Sequence, residues 1–205
     1  MTVRSRLVRH IMQSIDNGVK MEDKIALIGS GNTFFKDEGI GLYAVKYIKE
    51  NYDLAPNITI LDGGTLGFKL MPLLQEFEHV IIVNTSSDDS TKAGSITIKE
   101  SEEFIEGSLI KKTANEVEIA EMLQICSLSE NMAETTIISI TPEDIISVEV
   151  GLSDSLKEAL PQFLDNIFQL LKKKGISAEK RERYCSIEEI LYTFANPSIE
   201  HGRGF

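Results

Sequence analysis

Imidazole and thiol are scarce in this chain. Its 205 residues include three histidines and two cysteines. Cys126 and Cys185 are far apart and form no CxxC pair, which excludes a disulfide scaffold and a zinc knuckle. Reduced thiols place the protein in the cytoplasm, and Cys126 falls on an apolar helical face, as a small core residue would. His10 and His201 lie near the termini, and His79 opens a strand. None of them pairs with Ser30, Ser86 or Ser87, so a serine triad is not expected. No apolar run is long enough to span a bilayer. Basic residues are also in deficit, 21 against 32 acids, for a net charge of −11. That balance argues against a nucleic-acid backbone or an anionic membrane surface as partner.

What is present is alternation. Lys24–Gly29 reads as a first strand, residues 38–51 as a helix, and Asn57–Leu61 as a second strand. Leu66–Phe77 has a helical apolar stripe interrupted by Pro72. The continuous run Val80–Val83 is what a central strand covered on both faces requires. Ser95–Lys99 alternates as an edge strand. Thr113 and Glu116 have capping-box spacing ahead of a further helix, and Thr135–Ile140 is another β-branched strand. Leu152–Leu171 forms the longest helix, closed by Lys172–Gly175, and Ser186 caps a last short one ending before Asn196. The pattern implies an α/β fold, a three-layer αβα sandwich around a mainly parallel, twisted sheet. We divide the chain into a possibly helical extension (1–20), an α/β domain (21–176) and a C-terminal extension (177–205). In the first of these, Val3, Leu7, Ile11 and Ile15 recur at helical spacing among three arginines.

Two acids stand beyond strand ends. Glu38 follows the turn Gly29-Ser30-Gly31-Asn32, and Asp62 precedes Gly63-Gly64. Alone, each reads as a helix-start acid or an N-cap. Together, at the carboxyl edge of neighbouring parallel strands, they suggest a site for a metal or another positive group. A dinucleotide fingerprint fails here. Phe34 stands where the third glycine belongs, and Asp37-Glu38 would repel a phosphate.

These blocks carry a resemblance. Ile25–Gly41 (IALIGSGNTFFKDEGIG) and Leu61–Leu74 (LDGGTLGFKLMPLL) resemble, in order and spacing, the hydrogenase maturation endopeptidases. Val80–Asn84, Ile140–Glu143 and Gly151–Ser153 resemble later landmarks of that family, so the likeness spans residues 24–175. It implies an endopeptidase that removes the C-terminal peptide of the nickel-iron hydrogenase large-subunit precursor after nickel insertion. The nickel carried by the precursor would be the recognition element. Glu38 and Asp62 would then be catalytic and nickel-facing residues. Asn115 would be the third nickel-facing residue, in a position where the family has histidine. An aspartate usual after the third strand is replaced by Asn84. The departure at Asn115 implies an alternative, a non-catalytic assembly or nickel-checking factor of the same pathway.

Overall fold

The computed structural model describes residues 24–65, 67–86, 90–107, 113–129 and 132–197. The expected helix within residues 1–20 lies outside them. The chain runs β1 (Ile25–Ser30), α1 (Ile40–Asn51), β2 (Tyr52–Leu54), β3 (Ile58–Gly64), α2 (Leu73–Glu76), β4 (His79–Thr85), β5 (Ile96–Glu100) and α3 (Ser101–Glu106). It continues through α4 (Ala114–Cys126), β6 (Glu134–Ile140), α5 (Asp154–Lys173), β7 (Ala178–Lys180) and α6 (Ile187–Ala195). Short 3-10 turns cover Lys36–Gly39 and Gly67–Leu70.

The main sheet has the order β3-β1-β4-β6-β5. Its first four strands are parallel, and β5 closes the edge antiparallel to β6. Alternate residues of the buried strands feed two cores. Ile25, Leu27, Ile81, Val83, Ile138 and Ile140 meet α1, α5 and α6 on one face. Ala26, Ile28, Val80, Ile82 and Ile137 meet α4 and the 67–76 segment on the other. The three-layer α/β sandwich anticipated from the alternation is the observed architecture. Cys126 is buried in the second core, as its helical spacing indicated.

Two elements differ from expectation. Leu66–Phe77 is not one helix: Met71 and Pro72 divide it into the Gly67–Leu70 turn and the single turn of α2. Pro72 has no N–H to continue the ladder and sits instead at the N-cap. The first helix begins at Ile40, and Asp37 and Glu38 belong to the tighter turn before it.

The stretch after residue 176 is packed onto the body. β7 pairs antiparallel with β2. Asn51, fully buried, donates to Cys185 O at 2.9 Å and accepts from Cys185 N at 2.7 Å. Ile190 is buried in the first core. At the amino edge of the sheet, His79 and Lys174 both meet the Glu134 carboxylate, at 3.1 and 2.6 Å. His79 thus stands at the edge opposite the strand exits. Among the described residues no helix is long and apolar enough to cross a membrane.

Candidate active site

The chain leaves β1 for β3 on one side and then returns to β4 on the other. This order puts a switch point at the carboxyl end of β1, where an open α/β sheet holds its ligands. The local sequence brings α1 unusually close to that end. Gly31 has φ +148, and a Cβ there would strike Glu38 O. A Cβ on Gly41 would strike the carbonyl oxygens of Val83 and Ser30. The glycines of the two motifs therefore serve backbone-to-backbone packing, and the turn brings Glu38 under the strand exits.

Asp37, fully buried, fastens the opposite wall. Its Oδ2 accepts from the backbone N–H of Glu143 at 3.0 Å and Asp144 at 2.8 Å, and its Oδ1 accepts from Ser153 N–H at 2.6 Å. Lys36 adds ion pairs to Asp144 and Glu149 at 3.5 and 2.9 Å. Its own backbone is strained, at φ +38, a conformation kept only where the surroundings over-determine it. Asp144 in turn accepts from the Ser147 hydroxyl and from the Ser147 and Ile146 N–H groups, which hold its carboxyl well below the usual carboxylate range. The loop 143–153 is thus a built wall. Asp37→Asn replaces one charged acceptor oxygen with a donor facing an N–H. We expect a loss of about 2 kcal/mol and faster hydrogen exchange at Glu143, Asp144 and Ser153. Unchanged protection at those amides would refute this anchoring role.

Between the walls lies a cleft of ≈ 290 Å³, lined by Asn32, Phe35, Glu38, Thr65, Asn115 and Ile145 among others. Glu38 is buried. Desolvation pushes its carboxyl pKa up, and Glu116 adds to the shift. Asn115 is the second residue of α4, whose N-cap Thr113 accepts from Glu116 N–H at 3.2 Å. Its carboxamide lies 2.9 Å from Ser30 Oγ at the end of β1. Asp62 is paired with Gly29 in the β1–β3 register, at the same edge of the sheet. Its side chain is exposed, its Oδ1 accepts from Gly64 N–H at 3.0 Å, and it is not among the cleft-lining residues. The structure therefore gathers Glu38 and Asn115 in one cleft and leaves Asp62 on the rim of the same edge.

Capping-box spacing marks Glu116 only as a residue of the helix start. Glu116 is instead buried, and Glu118 lines the cleft, lying across Gly67. Among the described residues no three His, Cys, Asp or Glu side chains cluster as a metal site. The chemistry available is a buried carboxyl with its pKa raised, an amide in the same cleft and a second carboxylate at the same edge of the sheet. Such a set can bind a cation or an N–H donor and move a proton at Glu38.

The family described as HycI, hydrogenase maturation protease, matches residues 42–170, more than half of the chain. The chain is 26% identical over 160 residues to the hydrogenase 2 maturation protease of Escherichia coli (strain K12), covering 78% of this chain and 97% of that protein. It is 25% identical over 170 residues to the hydrogenase expression/formation protein HupD of Rhizobium leguminosarum bv. viciae, covering 82% and 84%. The solved structure of the hydrogenase maturating endopeptidase HybD from E. coli superposes with a TM-score of 0.72 at 24% identity. That superposition covers 77% of this chain and 98% of that one, a likeness of fold.

Proposed function

The chain belongs to the hydrogenase maturation protease family, and we propose that it removes a C-terminal peptide from the nickel-iron hydrogenase large-subunit precursor. The reaction takes place in the cytoplasm, after nickel has entered the precursor. The nickel is the substrate's own, and Glu38 and Asp62 meet it at the carboxyl edge of the sheet, with Asn115 as the third nickel-facing group. The observation that carries this reading is the cleft itself, with the buried Glu38 and Asn115 in its walls and Asp62 near the end of β3 at the same edge of the sheet. A cation arriving there favours the carboxylate form of Glu38, against the desolvation that raises its pKa. Hydrolysis adds water to the scissile carbonyl, breaks the C–N bond and passes a proton to the leaving amine. Glu38 is the group placed to move that proton.

The amide at position 115 favours one further reading, a paralogue that binds and checks the nickel-loaded precursor without cutting it. An amide oxygen is a harder, weaker partner for nickel than imidazole. Intact-mass measurement of nickel-loaded and nickel-free precursor, each incubated with the full chain, decides between them. We expect mass loss at the C-terminus of the nickel-loaded form only. Binding without cleavage, with cleavage gained by Asn115→His, would establish the checking role. Neither binding nor cleavage would refute both.

A further inference from the structure

Behind the cleft, one side chain on α1 touches the segments that form two of its walls. Tyr43 is fully buried. Its hydroxyl donates to Thr33 O at 3.2 Å. Thr33 lies within the turn whose Asn32 N–H donates to Glu38 O and whose Phe35 O accepts from Glu38 N–H. A Cβ on Gly39 would strike the Tyr43 ring, so the glycine that follows Glu38 makes room for that ring. A hydrogen bond from the Gly151 backbone acts on the same hydroxyl, and Gly151 belongs to the loop that Asp37 fastens. Burial pushes the phenol up to about 12 against the opposing effect of Gly151. The proton that Thr33 O accepts therefore stays in place near neutral pH.

Tyr43 is in turn met by the last helix. Phe194 packs edge-on to it, with ring centroids 5.1 Å apart and planes 69° apart. Aromatic edges and faces attract in a definite geometry, beyond simple coverage of apolar surface. Phe194 stands in the last turn of α6, well past residue 170, where the family match ends. α6 is fixed at points of its own. Ser186 and Glu189 close a capping box at its start, Ile190 enters the first core, and Asn51 clamps Cys185 just before it. A helix so held offers Phe194 as a firm backing for Tyr43.

We propose that Tyr43 and Phe194 are positioning residues: α6 backs Tyr43 through Phe194, and Tyr43 ties the turn carrying Glu38 to the loop at Gly151. The C-terminal stretch outside the family match thereby sets the place of Glu38 in the cleft wall. This rests on the reading of the cleft as the site of cleavage. Neither residue touches a reacting atom; both act through Glu38.

Two measurements on the full chain test it separately. The first is amide hydrogen exchange at Glu38 and Gly151. Tyr43→Phe keeps the ring and removes the hydroxyl, and should speed exchange at both amides about tenfold or more. Phe194→Leu keeps apolar cover and removes the ring edge, and should speed both about threefold or more. Leu191→Ala removes cover from the same helix and should leave both unchanged. Unchanged exchange in Tyr43→Phe or in Phe194→Leu, or an equal effect of Leu191→Ala, overturns the proposal, because α6 would then only cover the first core. The second is processing of nickel-loaded precursor. Tyr43→Phe and Phe194→Leu should each lower kcat about tenfold, the result of a modest misplacement of the proton-moving group, with KM within about twofold. Phe194→Tyr, which restores a ring, should recover kcat to within about threefold. A kcat that is unchanged in Phe194→Leu, or equally low in Phe194→Tyr, also overturns it. If the wild type does not cut at all, the processing reading fails, and the exchange rates still decide whether α6 holds the Glu38 turn.

Discussion

Gly41→Ala is expected to remove at least about 4 kcal/mol of stability, an exceptional loss for a single methyl group. The methyl would fall on the carbonyl oxygens of Val83 and Ser30. Both are backbone atoms of central strands, so neither can yield by a rotamer change. Relief requires α1 to lift from β1 and β4. That separates Ile40, Ala44 and Ile48 from the first core, where all three are fully buried. With a total stability of about 5–15 kcal/mol in a domain of this kind, much of the margin disappears. Chemical denaturation should show the midpoint falling with the slope preserved. A loss under about 1 kcal/mol would mean that the helix has room to move.

That same close approach explains why the glycine turn invited a nucleotide-binding interpretation and why it does not have that role. In a phosphate cradle the glycines admit a ligand to the backbone. Here Glu38 O and the β1 and β4 carbonyls already occupy the space that Gly31 and Gly41 leave open. The oxygens repel anions, and the acids at 37 and 38 are held inward by the same packing.

The strands were legible in the sequence because parallel strands covered on both faces must be apolar throughout. Val80–Val83 announced itself in this way, Thr135–Ile140 through its β-branched residues, and α5 through its long stripe. The β2–β7 pair gave no such signal. It is three residues long, and all three residues of β7 are exposed, so neither burial nor periodicity marks it. The broken 67–76 segment kept its apolar stripe, and Leu70 and Leu74 are buried as a helix would bury them. Only Pro72 betrayed the break. For the site, residue type at strand ends pointed to Glu38 and Asp62. The ties of Asp37 to Ser153 and of Ser30 to Asn115 span 116 and 85 positions. They depend on loop paths that no local pattern encodes.

Glu38→Gln should separate function from stability more sharply than any other substitution. An acid placed merely to match a helix dipole has its pKa lowered by the helix N-terminus. Glu38 shows the reverse: its carboxyl is raised above the ordinary value of 4.5, first by desolvation and then by Glu116. The folded protein therefore holds this proton more tightly than the unfolded chain. Stability is fully present below the ordinary value, declines as the pH rises from there through the raised folded value, and is lower by a constant amount above it. Glutamine fills nearly the same volume and has no charge to desolvate. The variant should match the wild type at about pH 4 and exceed it by neutral pH, a difference that unfolding curves recorded across that range would show. Cleavage of nickel-loaded precursor should nonetheless fall at least about 100-fold, the scale of a lost proton-transfer group. Higher stability with lost activity is what a functional carboxyl held against its solvation preference gives. Lower stability with unchanged cleavage would return Glu38 to the helix start as a structural acid, and the site would have to be sought around Glu116 and Glu118.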